Sequence, residues 1–585
     1  MTCTKFKLTT VAALVFAATN ANAALYTVVE VDVPTSIVLG DVQNSFGVAI
    51  QPGSANDGTS DLLLGCFDST AANCSNSPNE DPANNQFLMA VEVRISENNK
   101  KVFEEGLSYR EEVPFAMDAA FQYIQEFEDF ENYCYRELRY STCESWAVKR
   151  WNTWSSEIND FAQVNAQAFV EGGTSSISPF NVVVNALDGA GAPLGVESNG
   201  HDIRHAAITT VPLNSASESR AWGVAKLSDG TVVNFGSIST DQAPTDTSNI
   251  TFSSKAAIWS SESTHEFTWA QGDVPKTGDF FAQGSMRGLA EKDGRLYGVG
   301  FDTSDGSGDL QDMNASIFIS EGLDLVNDSW ETKVVNGAQV SSNSSDEYKY
   351  SNSVATDIND NLFAVGYAKR NGYVPENGSA GNKIFVIEDA SNPQARFDLN
   401  SSIFFGGSSG EAKAVNNFNE IVGQIDAETI REVDGSERRH RGFIYPYAVE
   451  APNNVRVDKV FGGQAWWLDD LTNDENVSGD NNKFRIIDAT DINDAGVISA
   501  TAIKCTVGGT TQPYDTTSHN SYCGGAASNA VEEVVAVKLV PIAGATQDDI
   551  RTRSTDTEKV ERQGGSLGWL TLTVLGLLGF RRKFK

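Results

Sequence analysis

The stretch that decides the fold is Ala355–Tyr367, ATDINDNLFAVGY. An apolar lead-in runs into Asp357-Ile358-Asn359-Asp360-Asn361, and a second apolar run closes on Gly366. Asn and Asp tolerate positive φ at low cost, so between two β-rich runs they read as a tight hairpin turn. The same shape returns at Ala225–Gly236 (AKLSDGTVVNFG), Ala290–Gly300 (AEKDGRLYGVG), Ala412–Gly423 (AKAVNNFNEIVG) and Ala489–Ala500 (ATDINDAGVISA). The turn positions are Asp229, Asp293, Asn359, Asn416 and Asn493, spaced 64, 66, 57 and 77 residues apart.

Each turn phrase is followed by a second recurring strand: Lys255–Trp259, Ala315–Ile319, Lys383–Ile387, Arg441–Tyr445 and, after the last phrase, Glu533–Leu539. A unit of two hairpins cannot bury both faces alone, so such units stack or close into a ring. The spacing exceeds the roughly 40–50 residues of a minimal propeller blade. Polar loops such as Ser341–Glu347 (SSNSSDE) take up the excess. A sixth unit begins near Phe46 (NSFGVAIQ), and a seventh fits Gln163–Val184, where QVNAQAFV and FNVVV are strand-like. The expected fold is all-β: a β-propeller of six or seven blades with a small disulfide-clipped helical insertion. Pairing of Leu25–Val31 with Val534–Val540 would close the ring and remove exposed edges. An open β-solenoid and tandem β-sandwiches are the alternatives.

The domain order read from the chain is a signal peptide at 1–23, a first β unit with the closing strand at 24–97, and a helical insertion at 98–162. Propeller-like repeats follow at 163–542, then a tether at 543–563 and a terminal sorting signal at 564–585. The insertion is aromatic-rich and poor in Gly, with Phe115, Ala119, Tyr123 and Phe127 on one helical stripe. Core packing of the insertion is the expected reason for its aromatics, and a binding surface is the alternative.

The chain opens with Lys5 and Lys7, an apolar run Leu8–Ala18, and Ala21-Asn22-Ala23, a small-x-small cleavage site. Cys3 leaves with this leader, and the other six cysteines form three close pairs: Cys66/Cys74, Cys134/Cys143 and Cys505/Cys523. Such pairs in an exported chain imply disulfides. The formal net charge is −35, and it becomes −41 once the two ends, with six basic and no acidic residues, are set aside. That surface repels nucleic acid and anionic lipid, leaving membrane contact to the C-terminal tail alone.

Gly564-Gly565-Ser566 introduces a mostly apolar run to Phe580, and Arg581-Arg582-Lys583-Phe584-Lys585 ends the chain. The order Gly-Gly-Ser, apolar helix and basic cluster resembles the GlyGly-CTERM sorting signal of Gram-negative bacteria, which the intramembrane protease rhombosortase recognises. The resemblance implies a precursor held in the inner membrane by a transmembrane helix, partnership with a rhombosortase-like protease and the export machinery, cleavage near Gly565/Ser566, and display at the cell surface or release. A permanent single-span anchor is the alternative. Ala489–Gly496 (ATDINDAG) and Arg441–Tyr445 (RGFIY) are similar to the two phrases of HAF-type extracellular repeats. Gly366 and Gly423 match the final glycine of that pattern, and Ala500 departs from it. Together the two resemblances point to an uncharacterised exported family and carry topology and address, not a reaction.

Motifs for chemistry are sparse. His201 and His205 have i,i+4 spacing without the Glu of HExxH, and Gly406–Gly410 fits GxSxG by its letters with no helix after it. His265, His440 and His519 have no motif around them. No catalytic residue is assigned. For a cofactor, calcium is the one candidate: Asp469–Asp480 (DDLTNDENVSGD) is dense in oxygens, with Asp469, Asp470, Asp474 and Asp480 as ligands. The expected function is an exported cell-surface module that binds a glycan or protein or serves a structural role. The alternative is a secreted propeller hydrolase or lyase acting on polysaccharide.

Overall fold

The computed structural model of the chain describes residues 24–39, 43–74, 87–95, 127–135, 142–148, 162–200, 206–211, 218–241, 252–273, 276–277, 280–305, 312–339, 353–369, 381–429, 438–448, 454–475, 480–507, 510–511, 522–523 and 531–553, with the single residues 151, 155, 160 and 213. The leader, the sorting tail, His201, His205 and His519 lie outside them.

Seven antiparallel sheets follow one another along the chain and form a seven-bladed β-propeller. Blade 1 is Gln43–Ile50, Met89–Ile95 and Ala166–Val170, and blade 2 is Val182–Leu187, Pro193–Glu197 and Ala206–Ile208. Blade 3 is Glu218–Lys226, Val232–Asp241, Phe252–Trp259 and Thr264–Glu266; blade 4 is Gly284–Lys292, Arg295–Asp305, Asp312–Ser320 and Trp330–Val334. Blade 5 is Ser353–Ile358, Ala364–Lys369 and Asn382–Ile387. Blade 6 is Gly410–Val415, Glu420–Asp426, His440–Pro446 and Trp466–Trp467. Blade 7 takes Phe484–Ile492, Ile498–Val507 and Val531–Pro541 from the end of the chain and Tyr26–Glu30 from its beginning.

The second recurring strand is the third strand of its blade, as in Phe252–Trp259 and His440–Pro446. The two runs near residues 163–184 belong to different blades: Ala166–Val170 ends blade 1 and Val182–Leu187 begins blade 2. The excursion between them and Ile95 therefore sits inside blade 1; its described part includes a helix at Phe127–Tyr133 and the Cys134–Cys143 bridge.

Ring closure follows the expected pairing, in the register Tyr26↔Pro541, Val28↔Leu539 and Glu30↔Val537. The free edge of the N-terminal strand is capped by one side chain: Asn481 Oδ1 accepts the Val28 N–H at 2.9 Å, and its Nδ2 donates to the Tyr26 carbonyl at 2.9 Å. Lys504 adds an ion pair to Glu30 at 2.6 Å. Cys66–Cys74 and Cys505–Cys523 complete the three bridges, all of a kind that persists in an oxidising compartment. Among the described residues no helix is long and apolar enough to cross a membrane.

Buried apolar side chains gather at the seams between neighbouring blades. The apolar residue before the turn Asn supplies three of these seams: Ile358 packs between blades 4 and 5, Val415 between 5 and 6, and Ile492 between 6 and 7. The seam between blades 3 and 4 also encloses a carboxyl. Asp302 is fully buried, its Oδ2 accepts the Ala270 N–H at 2.6 Å, and its Oδ1 has no hydrogen-bond partner among the described residues. Asp302 faces Gly284, where an added Cβ would lie 3.0 Å from Oδ1. Desolvation raises its pKa to about 8 against the opposing pull of the backbone hydrogen bonds.

Candidate functional site

The first strand of every blade carries a β-bulge. Each is read from a register shift: Gly47/Ala49, Val184/Ala186, Ala221/Gly223, Met286/Gly288, Ala355/Asp357, Ala412/Ala414 and Ala489/Asp491. A bulge inserts one unpaired residue and re-aims its side chain. The extra residues are Val48, Asn185, Trp222, Arg287, Thr356, Lys413 and Thr490. All but Val48 line a cavity of about 370 Å³ to which the inner strands of all seven blades contribute. The cavity therefore lies on the ring axis, and one variable position of the repeat supplies six of its lining side chains.

Several of these side chains reach the next blade. Asn185 donates to the Ala221 carbonyl at 2.9 Å, Thr356 to that of Ala412 at 2.7 Å, and Thr490 to that of Gly47 at 2.9 Å. The same bond thus recurs at three seams, from the bulged residue of one blade to the small residue just before the bulge of the next. Lys413 pairs with Asp488 of blade 7 at 2.9 Å and lies 3.8 Å from Glu411. The Arg287 guanidinium stands 3.5 Å from the centre of the Trp222 ring, a cation–π contact across the seam between blades 3 and 4.

One residue beyond the bulge, Asp357 and Asp491 clip seams. Asp357 accepts the Val415 N–H at 2.8 Å and Asp491 accepts the Ile50 N–H at 2.9 Å. Each also accepts the N–H of the residue after it. Asp357 is half-buried and lines the cavity, and desolvation by the protein around it raises its pKa to about 7. The neighbouring Asp491 charge pushes the same way.

The turn residues close one end of the cavity. Asn359 Oδ1 accepts the N–H groups of Asn361 and Phe363, the expected turn role. Its Nδ2 also donates to the Asn416 carbonyl at 2.9 Å; Asn416 donates in turn to Asn493 at 3.2 Å, and Asn493 to Gln51 at 3.0 Å. The phrase is therefore a turn and an inter-blade clip at once. Asp229 and Asp293 also lie in inner hairpin turns, but not in the place of Asn359. In blade 3 that place falls on Leu227, whose N–H bonds the Thr231 carbonyl as Asn359 bonds Phe363. Blade 4 turns on the pair Asp293-Gly294, both at positive φ.

Beneath the ladder, Arg456 forms a fully buried two-pronged pair with Glu420, at 2.8 and 2.6 Å, and donates to the Asp494 carbonyl at 2.7 Å. Asn416 donates to the same carboxylate at 2.6 Å.

The four calcium candidates do not converge. Asp469 is fully buried and its oxygens serve Arg441 at 3.1 Å, Arg485 at 3.8 Å and the Ile486 N–H. Burial alone would raise its carboxyl; the charges of Arg441, Arg553 and Arg485 outweigh that and hold it below the usual range. Asp470 accepts the Arg553 N–H at 2.8 Å, and Asp480 is exposed beside Lys483. Among the described residues no three His, Cys, Asp or Glu side chains form a metal-binding group. Two of the four, Asp469 and Asp470, are engaged by arginines. Ser408 of the GxSxG letters donates to the Phe405 carbonyl at 2.7 Å inside a turn. His265 stacks on Trp330, with centroids 5.3 Å apart, and His440 lies 3.1 Å from Asp426.

No curated protein matches the chain. Among solved structures, Pseudomonas fluorescens PhoX in complex with vanadate, a transition state analogue, aligns at 9% identity and a TM-score of 0.29 over 90% of this chain and 100% of that one. At that level neither its fold nor its chemistry transfers. Residues 231–583, more than half of the chain, match the family described as Protein of unknown function (DUF3466), and the chain belongs to that family.

Proposed function

We propose that the protein is an exported binding module displayed at the cell surface, with its ligand held in the axial cavity. The observation that carries this reading is the bulge in every inner strand, which turns one variable side chain per blade toward the axis in six of the seven. The volume lies in the range of small-molecule pockets, and polar groups of several kinds converge on it. The leader ending at Ala23 and the Gly564-Gly565-Ser566 tail support export, inner-membrane residence of the precursor, and processing by a rhombosortase-like protease. C-terminal sequencing of the mature protein tests the address: a terminus near Gly565 is expected, and an intact Lys585 overturns processing. A thermal-shift screen of the mature protein tests the cavity. A ligand at 100 times its Kd stabilises by about 2.7 kcal/mol, and Trp222→Ala should abolish that shift.

A second reading, a hydrolase or lyase acting on polysaccharide, draws on Asp357, a cavity carboxyl with a pKa of about 7. Its two oxygens already accept backbone N–H groups, which fits a seam clip better than a proton shuttle. Turnover of a polysaccharide that disappears in Asp357→Asn would establish the enzyme reading instead.

A further inference from the structure

We infer that the axial cavity takes a neutral, hydroxyl-rich ligand, one or two sugar rings in size; this rests on the reading of the cavity as a ligand site. The wall carries charges of both signs, and they lie beside one another. Lys413 stands between Asp488 and Glu411, and Arg287 lies on the Trp222 ring. Asp357 and Asp491 sit on the same wall. An anion would be brought against these carboxylates, and a cation against Arg220, Arg287 and Lys413. Either would carry net charge out of water without a clear surplus of the opposite sign to receive it.

A hydroxyl group avoids this conflict because it both donates and accepts. Adjacent hydroxyls on a ring answer a carboxylate and an ammonium side by side without adding charge. The wall also offers flat apolar surface. Trp222 and Phe235 line the cavity, and Gly223 lets the Phe235 ring lie against the inner strand, because a Cβ there would stand 2.3 Å from it. Arg287 covers one face of Trp222, and the ring surface left open packs the C–H face of a sugar while the polar groups take its edge. The Thr356 hydroxyl has spent its proton on the next blade, leaving a lone pair that accepts from a donor, whereas Thr490 Oγ1 also lies 3.1 Å from the Ser499 hydroxyl. At about 370 Å³ the space is near the lower end of ligand pockets, which restricts the occupant to one or two rings.

The test is calorimetric titration of the mature protein with neutral mono- and disaccharides, galacturonate as the anion and spermidine as the cation. Each titration is repeated on Trp222→Ala and on the milder Thr356→Val, whose thermal transitions are recorded to confirm folding. The expected result is binding of a neutral sugar, weakened at least tenfold in Trp222→Ala or, if that variant does not fold, measurably in Thr356→Val. Binding of galacturonate or spermidine alone, lost in the same variants, overturns the neutral-ligand inference and leaves the binding cavity standing. No binding by any member overturns both. Sugar binding unchanged in both folded variants places the sugar elsewhere and overturns the inference.

Discussion

Replacing Asp302 with Asn should make the protein more stable at pH 8 and change it little near pH 4. The folded chain holds the Asp302 proton up to about pH 8, whereas the unfolded chain releases it near its ordinary value of 3.8. Between those values the native state binds more protons than the unfolded state, so unfolding free energy falls as pH rises. The contribution is fully present below pH 4, is lost progressively, and is gone above pH 8. A shift of about four units corresponds to on the order of 5 kcal/mol across that window. No discount for solvent applies, because the residue is 0% exposed. Asn keeps the acceptor for Ala270 N–H and cannot ionise, so the Asp302 part of the slope disappears in the variant. The assay is urea unfolding of both proteins at pH 4.5, 6.5 and 8, followed by tryptophan fluorescence; Trp269 lies next to the bonded Ala270. The difference between the two should grow by several kcal/mol from the lowest to the highest pH. A difference that stays constant across the range would refute the reasoning, since Asp302 would then titrate as it does in the unfolded chain.

Asn359→Ala removes the one oxygen that accepts two turn N–H groups and the amide that donates to Asn416 and Asn419, and should cost about 2–4 kcal/mol, read as a lower thermal transition. Arg456→Met strands the Glu420 carboxylate in a fully buried site and should cost about 3–5 kcal/mol; adding Glu420→Met should recover much of that, and a double mutant as unstable as the single would contradict it. Replacing both Cys505 and Cys523 with Ala opens a loop of sequence separation 18 and should lower stability by about 3 kcal/mol, measured by urea unfolding against the oxidised parent.

Much of the architecture was legible because two signals repeat: Asn or Asp at the inner turn, and an apolar third strand such as Lys383–Ile387. Blades 1 and 2 were harder to find. Blade 1 leaves its first strand at Gln51 and returns only at Met89, with a further excursion before Ala166, so no short hairpin marks it. The candidate site was hidden for another reason. Strand periodicity assigns alternate residues to alternate faces, and a bulge resets that alternation where only the partner strand can show it. Trp222, Arg287 and Lys413 therefore read as unremarkable strand residues. The available signal was positional and partial: Thr356 follows Ala355 and Lys413 follows Ala412 within their phrases, whereas Trp222 and Arg287 precede Ala225 and Ala290 by three residues. In Asp469–Asp480 the sequence shows the carboxylates but not the arginines that reach Asp469, one at its carboxylate and one at its backbone carbonyl. Arg441 and Arg553 lie 28 and 84 residues from Asp469.

The edge clip on Tyr26–Glu30 has a consequence for how the chain is made. Asn481 stands 453 residues beyond Val28, and the pairing partner Val531–Pro541 follows later still. A chain synthesised from its N-terminus holds its first strand without a partner until nearly the whole body exists. Ring closure is thus among the last folding events, and it carries the entropic cost of joining distant ends. Until then the strand is an open template for pairing with another chain. Truncation before residue 531 would leave that strand with no partner in the ring, so chains cut short there should be insoluble rather than merely one strand poorer.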